Sequence, residues 1–408
     1  GLICVIGNRP SSFLCGAGTC PLPLDGAELE WGKRLKYIPV MATKSQPGDS
    51  QVPTQPTIDE AKQKAFVRKA LGDISSTTAV VMAMIGDRLG LFKALGDGSP
   101  TDSLDLASRA GVDERYAREW MGGMAAAGYL EYDPASQRFT LPAEHAMVLA
   151  NEGGPKFLAG AYQVLLGMLG PFDQLLQAFQ HGGGVRQSAY GDNLWDGLER
   201  FSGGWFENLL MQEWMPVMPE VQAKLEAGAS VADVGCGRGR ALIKLAQEFP
   251  NSTFTGFDVF PPTIELAAAN AQAAGVADRV AFQELDVAQG LPQTYDIITT
   301  FDVVHDAADP QGLLSVIRQS LNPGGYYLLL DINCSGDLEE NLGPLGTMFH
   351  GFSLLYCMTT SLANDGAGLG TLGLYPQKLE DLCAQAGFSS VNLLPLQNPF
   401  HNLYEIRP

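Results

Sequence analysis

Apolar stretches and helical periodicities alternate along the second half of the chain. Apolar runs predict buried strands at residues 231–234, 253–257, 295–301 and 326–332. Apolar residues spaced three and four apart predict amphipathic helices at residues 241–249, 264–274, 313–321 and 379–386. Strands that are apolar on both faces and alternate with helices are typical of a parallel sheet covered on both sides. The pattern therefore predicts an α/β domain over residues 227–408, closed by strands at 391–394 and 402–406.

A different pattern precedes this domain. Helical periodicity begins near Asp59 and includes two helices at residues 105–111 and 113–130. A turn at 133–136 and a short strand at 138–141 follow them. Helix, turn, helix and β-wing are the parts of a winged helix. The sequence thus predicts a winged-helix domain at residues 61–150 and a helical bridge at 151–226.

The winged helix has two possible roles, DNA binding and dimerisation. Its second helix carries Asp113, Glu114 and Glu119 against Arg115 and Arg118. A helix that binds DNA phosphates should be clearly basic. We therefore expect a dimerisation scaffold.

Two further segments stand out in the chain. The bridge holds the densest aromatic cluster, which we interpret as interdomain core; the alternative is that it covers a bound cation or an adenine. Residues 335–372 exceed what a minimal α/β domain needs, and their glycine-rich part suits a lid above the strand ends. The aromatic residues are Trp195, Phe201, Trp205, Phe206 and Trp214.

The first 60 residues lack this organisation. Residue 1 is a glycine, whereas Met41 opens a stretch that resembles an ordinary beginning. Residues 43–58 are rich in Pro, Gln, Ser and Thr, a composition typical of a flexible leader. We expect residues 1–60 to be a disordered leader or an upstream extension without a part in the chemistry.

The candidate chemistry begins where the first predicted strand of the α/β domain ends. Gly235, Gly237 and Gly239 alternate with Cys236 and Arg238 directly before a predicted helix. Glycines allow a tight turn and let the backbone lie against a ligand with no Cβ in the way. Strand, glycine turn and helix open a nucleotide-binding βαβ unit.

Acidic residues lie at three successive predicted strand ends. Asp233 lies inside the first strand, Asp258 ends the second and Asp286 ends the third. A carboxylate at the position of Asp258 can accept two hydrogen bonds from a ribose diol. Asp233 would repel a pyrophosphate and would favour a cationic ligand. The alternative is that these residues merely end strands.

Together these motifs resemble the class I S-adenosylmethionine (SAM) methyltransferases. Winged helix, bridge, glycine loop, the stretch 301–306 and the turn Asn322-Pro-Gly-Gly325 occur in the same order in the winged-helix enzymes of bacterial type. The resemblance to the small-molecule O-methyltransferases of plants and animals is more distant. The resemblance to the winged-helix methyltransferases covers residues 62–408. It implies a Rossmann-like seven-stranded methyltransferase domain preceded by an α-helical winged-helix domain.

The resemblance also implies a SAM site without a metal. The loop from Gly235 to Gly239 would wrap the amino-acid end of SAM, Asp258 would bind its ribose, and Asp286 with Val287 its adenine. The full set of expected cofactor-binding residues is Asp233, Gly235, Cys236, Gly237, Gly239, Asp258, Val259, Asp286, Val287, Thr300 and Phe301.

A catalytic base is expected at His305. It follows a predicted central strand, at the carboxyl end where open α/β sheets bind ligands, and Asp306 stands beside it. Histidine suits proton removal from a hydroxyl near neutral pH. In the plant-type enzymes that this stretch resembles, the matching histidine is the general base, although Ala307 replaces their tryptophan. The alternative is that His305 caps the strand and that catalysis rests on alignment alone. His350, in the insertion, is the second candidate for the base.

Composition limits the partners and the compartment. A net charge of −19 disfavours nucleic acid and anionic membranes as partners. There is no apolar run long enough to cross a bilayer. The seven cysteines lack zinc-type spacing and are odd in number, which favours reduced thiols in the cytoplasm.

These observations predict a cytoplasmic, homodimeric methyltransferase. It would transfer a methyl group from SAM to a small, partly hydrophobic acceptor, at a hydroxyl. Two alternatives remain open. One is a SAM-sensing winged-helix transcription regulator. The other is an NAD-dependent oxidoreductase. Asp233 argues against it, because this carboxylate would repel the pyrophosphate of NAD.

Overall fold

The structure, a computed structural model, describes residues 58–408, so almost all of the predicted leader at residues 1–60 lies outside it. No helix in the described part is long and apolar enough to cross a membrane. The helices are α1 (Glu60–Arg88), α2 (Leu91–Ala94), α3 (Ser103–Ala110), α4 (Glu114–Ala126), α5 (Ala143–Leu149), α6 (Ala159–Met168), α7 (Phe172–His181), α8 (Asp192–Asn208), α9 (Pro219–Ala227), α10 (Arg240–Glu248), α11 (Pro261–Ala273), α12 (Pro310–Gln319), α13 (Pro344–Phe352), α14 (Met358–Leu362) and α15 (Pro376–Ala386). The strands are β1 (Glu131–Asp133), β2 (Arg138–Thr140), β3 (Ser230–Val234), β4 (Thr253–Asp258), β5 (Val280–Glu284), β6 (Tyr295–Phe301), β7 (Leu321–Ile332), β8 (Ser390–Leu393) and β9 (His401–Arg407).

The predicted winged helix is present, with a two-stranded wing where the sequence indicated a single strand. Asp102 and Asp113 cap α3 and α4, because each side chain accepts a backbone N–H of the first turn at 2.9 Å. The wing pairs β1 with β2 in antiparallel register. Trp120 of α4 donates its indole N–H to the carbonyl of Met82 in α1, at 2.8 Å. This bond attaches the second helix of the motif to the long first helix.

The bridge helices pack closely because glycines line their contact. A Cβ on Gly167 of α6 would lie 2.5 Å from the backbone nitrogen of Leu194 in α8, so the crossing requires glycine there. Arg200 of α8 binds Asp87 of α1 through two hydrogen bonds of 2.6 and 2.8 Å. The bridge is therefore joined to the N-terminal helices by packing and by a part-buried ion pair.

The C-terminal part of the bridge packs on the α/β domain. Trp214 is almost fully buried, and Phe206 and Trp214 both contact Phe301 of β6, with ring centroids 5.2 and 6.1 Å apart. Edge and stacked ring contacts of this kind add to the apolar burial. Most of the aromatic cluster therefore belongs to the core.

A seven-stranded sheet forms the α/β domain, in the order β5-β4-β3-β6-β7-β9-β8. The first five are parallel, whereas β9 runs antiparallel to β7 and β8. Neighbouring residues of one strand face opposite sides, so Val231 and Ala232 enter separate apolar cores. Both faces are thus covered, which explains the continuous apolar strands. The predicted Rossmann-like sheet is confirmed.

Two details differ from the sequence pattern. β7 begins at Leu321, so the Asn322-Pro-Gly-Gly325 turn becomes the irregular start of that strand. Asp286 lies two residues beyond the end of β5 and caps a short 3-10 turn, Val287–Gln289, instead of ending the strand.

The insertion at 335–372 contains α13 and α14, joined by a π-helical turn, Ser353–Cys357.

Candidate cofactor and catalytic site

The glycine loop lies between the end of β3 and the start of α10. Gly235 and Gly239 have φ angles of 72° and 78°, which side chains rarely adopt. A Cβ on Gly235 would lie 2.5 Å from Val303, and one on Gly239 would lie 2.4 Å from the ring of Phe282. Glycine is therefore required at both positions, for its backbone conformation and for space.

Asp258 shapes this loop from the end of β4. Its carboxylate accepts the backbone N–H of Gly237 at 3.1 Å and that of Phe260 at 3.0 Å. Burial raises the pKa of Asp258 above its usual range, although these N–H donors oppose the change. Asp258 therefore adjoins the glycine loop, and its role as the ribose ligand stays a prediction.

Asp233 is buried beneath the same loop. The Thr299 hydroxyl of β6 donates a hydrogen bond of 2.6 Å to its carboxylate. Burial raises the pKa of Asp233 to about 7; Thr299 opposes this rise and the charge of Asp258 adds to it. Among the described residues, no cationic side chain pairs with either aspartate.

The two arginines of the loop are engaged elsewhere. Arg238 binds Asp196 of α8 at 2.7 Å and also binds Glu199 of α8. Arg240 binds Glu199 at 2.7 Å. These ion pairs fasten the bridge to the glycine loop, and they leave the buried carboxylates of the loop without a positive partner.

Aromatic side chains connect the loop to the inserted segment. Trp195 of α8 packs against Phe260, which follows Asp258 closely, with ring centroids 5.4 Å apart. It also meets Tyr356 of the insertion edge to face at 6.1 Å. The three rings form a wall that runs from the end of β4 to the insertion.

A polar cluster lies where β6 ends. His305 is only 3% exposed, and its Nδ1 lies 2.6 Å from an Asp331 carboxylate oxygen of β7. Its Nε2 lies 3.2 Å from an Asp306 carboxylate oxygen. Burial lowers the pKa of His305, but Asp331 and Asp306 raise it more, so the pKa lies well above the usual value. The two carboxylates therefore favour the protonated form of His305.

A second carboxylate–histidine pair adjoins the first. Asp302 has a φ of 56°, unusual for a residue other than glycine, and its carboxylate lies 2.9 Å from Nε2 of His401 in β9. Burial raises the pKa of Asp302, but His401 lowers it more, so the pKa of this carboxyl lies below its usual value. Sequence reasoning missed Asp302, Asp331 and His401. Asp331 had a signal, since it is the acidic residue near the end of an apolar strand.

Groups that could hold a metal ion share His305. Within the part of the chain that the structure describes, there are two such groups of three residues. One consists of His305, Asp306 and Cys357, and the other of His305, Asp302 and Asp331. In each group the possible ligand atoms lie within 4.8 Å of one another. The 2.6 Å contact of His305 with Asp331 is a hydrogen-bond length. The expectation of no metal stays a prediction.

The remaining predicted cofactor residues differ in exposure. Thr300 is fully buried, and its hydroxyl is hydrogen-bonded to Tyr327 at 2.7 Å. Phe301 packs on the bridge, Val287 and Cys236 are buried, and Val259 and Asp286 are exposed. The side chains of Thr300 and Phe301 thus face the core, and their place in the cofactor site stays a prediction.

The residues present fit SAM. Asp233 is buried and Asp258 is partly buried, and among the described contacts their carboxylates receive hydrogen bonds only from Thr299 and from backbone N–H groups. A buried carboxylate without a counter-charge is costly, and a cationic ligand removes that cost. Within the glycine loop, the Cβ position of Gly237 has no atom within 4 Å, so the backbone there is open to such a ligand.

Comparisons with known families agree with this geometry. Residues 225–373 match the model of a methyltransferase domain, and residues 77–151 match an Rv2258c-like winged helix-turn-helix domain. The expectation of a winged-helix domain followed by a methyltransferase domain is thereby confirmed.

Curated relatives match over short stretches. An uncharacterised protein of Synechococcus is 39% identical over 98 residues, 23% of each chain. A ubiquinone biosynthesis O-methyltransferase of Pectobacterium carotovorum is 30% identical over 107 residues, 26% of this chain and 44% of the relative. The chain thus spans less than half the length of these relatives.

Solved structures match over most of the described chain. PigF with SAH has a TM-score of 0.65 at 19% identity, over 84% of this chain and 99% of that one. Human N-acetylserotonin methyltransferase in complex with SAM has a TM-score of 0.60 at 17% identity, over 87% and 99%. An O-methyltransferase family protein from Burkholderia thailandensis has a TM-score of 0.60 at 17% identity, over 84% and 98%. At these identities the likeness concerns the fold.

Proposed function

The chain joins a winged-helix domain to a class I methyltransferase domain, and we propose that it is an enzyme that transfers a methyl group from SAM to a hydroxyl of a small, partly hydrophobic molecule. The observation that carries this proposal is the arrangement at the carboxyl ends of β3, β4 and β6. A glycine loop lies there with the buried carboxylate of Asp233 and the partly buried carboxylate of Asp258, at the same edge of the sheet as the cluster around His305.

In this proposal the reaction takes place between these two groups of residues. Asp258 and Phe260 border it on the cofactor side. His305 and Asp306 border it on the acceptor side, where Asp306 lies near Tyr356 and influences its ionisation. Trp195 connects the two sides through ring contacts with Phe260 and Tyr356. An acceptor held there faces aromatic walls on one flank and carboxylates on the other, which suits a partly hydrophobic molecule with a polar group.

Alignment and proton removal are the tasks of the protein in this reaction. When bound, SAM supplies an electrophilic methyl group. The chain has to hold the acceptor oxygen in line with that group and exclude water. Asp331 fixes the ring of His305 through Nδ1, and Asp306 lies beside Nε2. The pair of His305 and Asp306 is therefore placed to receive the hydroxyl proton, once His305 has lost its own.

A metabolite screen tests this proposal. The purified chain would be incubated with SAM and pools of small molecules, and release of S-adenosylhomocysteine (SAH) would be followed. We expect release with hydroxylated, partly apolar compounds, and mass spectrometry of the product would locate the methyl group. Failure of the chain to bind SAM in calorimetry would contradict the proposal.

The winged helix is proposed to act as a scaffold. In α4 the charges pair with one another: Arg115 lies 2.5 Å from Glu119, and Arg118 lies 3.3 Å from Glu114. A helix that already neutralises its own arginines has little left for DNA phosphates. Absence of sequence-selective binding in a gel-shift screen at physiological salt is the expected result, and tight selective binding would favour the regulator.

We also propose a homodimer formed through α1. The first two thirds of α1 are exposed along nearly their whole length, and Val67, Leu71 and Ile74 are each more than half exposed. With Val81 and Ile85 they follow successive spacings of four, three, seven and four residues, which keep one apolar stripe on the helix. A stripe of this kind on a long helix suits packing against a second copy.

A further inference from the structure

The carboxylates around His305 exceed the positive charge that the histidine supplies. Asp331 takes the aligned hydrogen bond from Nδ1 at 2.6 Å, and it is itself 2% exposed. Asp306 lies on the other side of the ring, at 3.2 Å from Nε2. One imidazolium carries a single charge and cannot neutralise two carboxylates. One negative charge is therefore left over within this trio.

Asp306 is the carboxylate of this trio that a ligand can reach. Its side chain is 29% exposed against 2% for Asp331, and its Oδ1 atom, like Oδ2 of Asp331 and Oδ1 of Asp302, is buried without a hydrogen-bond partner among the described residues. The loop arginines do not compensate the leftover charge, because Asp196 and Glu199 of α8 bind them. A buried, unpaired carboxylate oxygen in a native fold calls for a positive or hydrogen-donating partner.

The position of Asp306 indicates which partner fits. Three residues earlier, Val303 packs directly under Gly235 of the glycine loop, where a Cβ would lie 2.5 Å away. Asp306 also lies against the insertion, with Cys357 in reach of its carboxylate. Asp306 therefore lies between the residue that supports the cofactor loop and the insertion, so a donor on the loop and an acceptor against the insertion would meet on its side of the sheet edge.

We propose that Asp306 supplies the counter-charge to the positively charged methyl donor and makes the site discriminate between donor and spent product. The inference rests on the proposed function. When the carbon–sulfur bond breaks, its electron pair stays on sulfur, the methyl group forms a new bond to the acceptor oxygen, and the hydroxyl proton leaves to the base. The donor SAM thus carries one positive charge more than the product SAH. An attraction between Asp306 and that charge holds the donor and releases the product.

Calorimetry with the two ligands tests this charge discrimination. SAM and SAH are titrated into the full chain and into the Asp306→Asn variant, without acceptor. The variant keeps the size of the side chain and removes its charge. We expect its SAM dissociation constant to rise about tenfold and its SAH dissociation constant to change less than twofold. A tenfold rise corresponds to the loss of one electrostatic attraction that solvent partly screens.

Two further variants separate this effect from damage to the fold. Asp306→Glu keeps the charge and should keep the wild-type ratio of SAH to SAM dissociation constants. Asp286→Asn removes an exposed carboxylate at the proposed adenine end, where the two ligands are identical, and should leave the same ratio unchanged. Equal weakening of both ligands by Asp306→Asn, or no weakening of either, overturns the inference while the proposed function stands. If the unaltered chain binds neither ligand, the proposed function fails, and the inference fails with it.

Discussion

At the scale of single residues, His305 is defined by its neighbours. Asp331 and Asp306 raise its pKa well above the usual value, so these carboxylates favour the protonated histidine. A protonated histidine cannot accept a proton, so a base at this position works better as the pH rises. With an acceptor in hand, we expect turnover to increase with pH through the raised pKa of His305, and Asp331→Asn should move this rise to lower pH.

Variants at His305 decide whether it takes part in the chemistry. His305→Ala should cut turnover by roughly 10²–10⁴-fold, with little change in SAM affinity. His350, an exposed histidine of α13, offers a matched control, and His350→Ala should leave turnover near the original value. A His305→Ala enzyme with near-normal turnover would remove the histidine from the mechanism and leave alignment as the account.

Asp233 shows how a residue of a ligand site can lower the unfolding free energy of the ligand-free chain. Its pKa rises from 3.8 to about 7 in the folded chain, so folding favours the protonated form. Stability from this group is fully present below pH 3.8 and is lost as the pH rises toward about 7. Asp233→Asn should therefore stabilise the ligand-free chain at pH 7.5 by up to about 4 kcal/mol, and much less at pH 4.

The same substitution should weaken SAM binding, since the carboxylate is what favours a cationic ligand. Thermal denaturation at the two pH values, with calorimetry for SAM, measures both effects. A variant that is less stable than the original chain at pH 7.5 would show that the Thr299 hydrogen bond outweighs the cost of burying the charge.

At the scale of elements, the glycine loop depends on two different properties of glycine. Gly239 combines a φ of 78° with a missing Cβ that would meet Phe282 at 2.4 Å. Gly275, which follows α11, has a similar φ of 71° but open space around it. Replacing each by alanine therefore separates backbone strain from the steric clash.

We expect Gly275→Ala to cost about 1–2 kcal/mol of unfolding free energy through the left-handed conformation and to keep SAM affinity. Gly239→Ala adds the clash, so it should destabilise the chain further and weaken SAM binding. Chemical denaturation and calorimetry on both variants provide the comparison. Equal effects of the two substitutions on SAM binding would mean that the loop tolerates a side chain.

At the scale of the whole molecule, the sequence contains most of the architecture and only part of the site. Apolar strands such as 295–301 alternate with amphipathic helices, and this pattern is local, so the parallel sheet could be predicted from it. The glycine loop and Asp258 could also be found, because their spacing is short.

The rest of the site depends on contacts between distant segments. Asp331 and His401 reach the cluster at β6 from β7 and β9, and Asp196 and Glu199 reach the glycine loop from the bridge. No spacing along the chain indicates these pairs. Asp306 could be named from the sequence as a neighbour of His305, but the second carboxylate, Asp331, could not, and Asp331 also favours the protonated histidine.

The apolar stripe of α1 leads to a prediction for the whole assembly. Leu71 and Ile74 are 61% and 64% exposed in the single chain, and burying such side chains against a partner stabilises each by about 1.5–3 kcal/mol. The substitutions Leu71→Glu and Ile74→Glu together should convert a dimer into a monomer, because they place charges in the apolar contact.

Leu104→Glu, at an equally exposed site on α3, serves as control and should leave the dimer intact. Light scattering coupled to size exclusion gives the mass, and calorimetry should show SAM bound in all variants, since α1 lies outside the glycine loop and the His305 cluster. A monomeric unaltered chain, or a double variant that remains dimeric, would contradict dimerisation through α1.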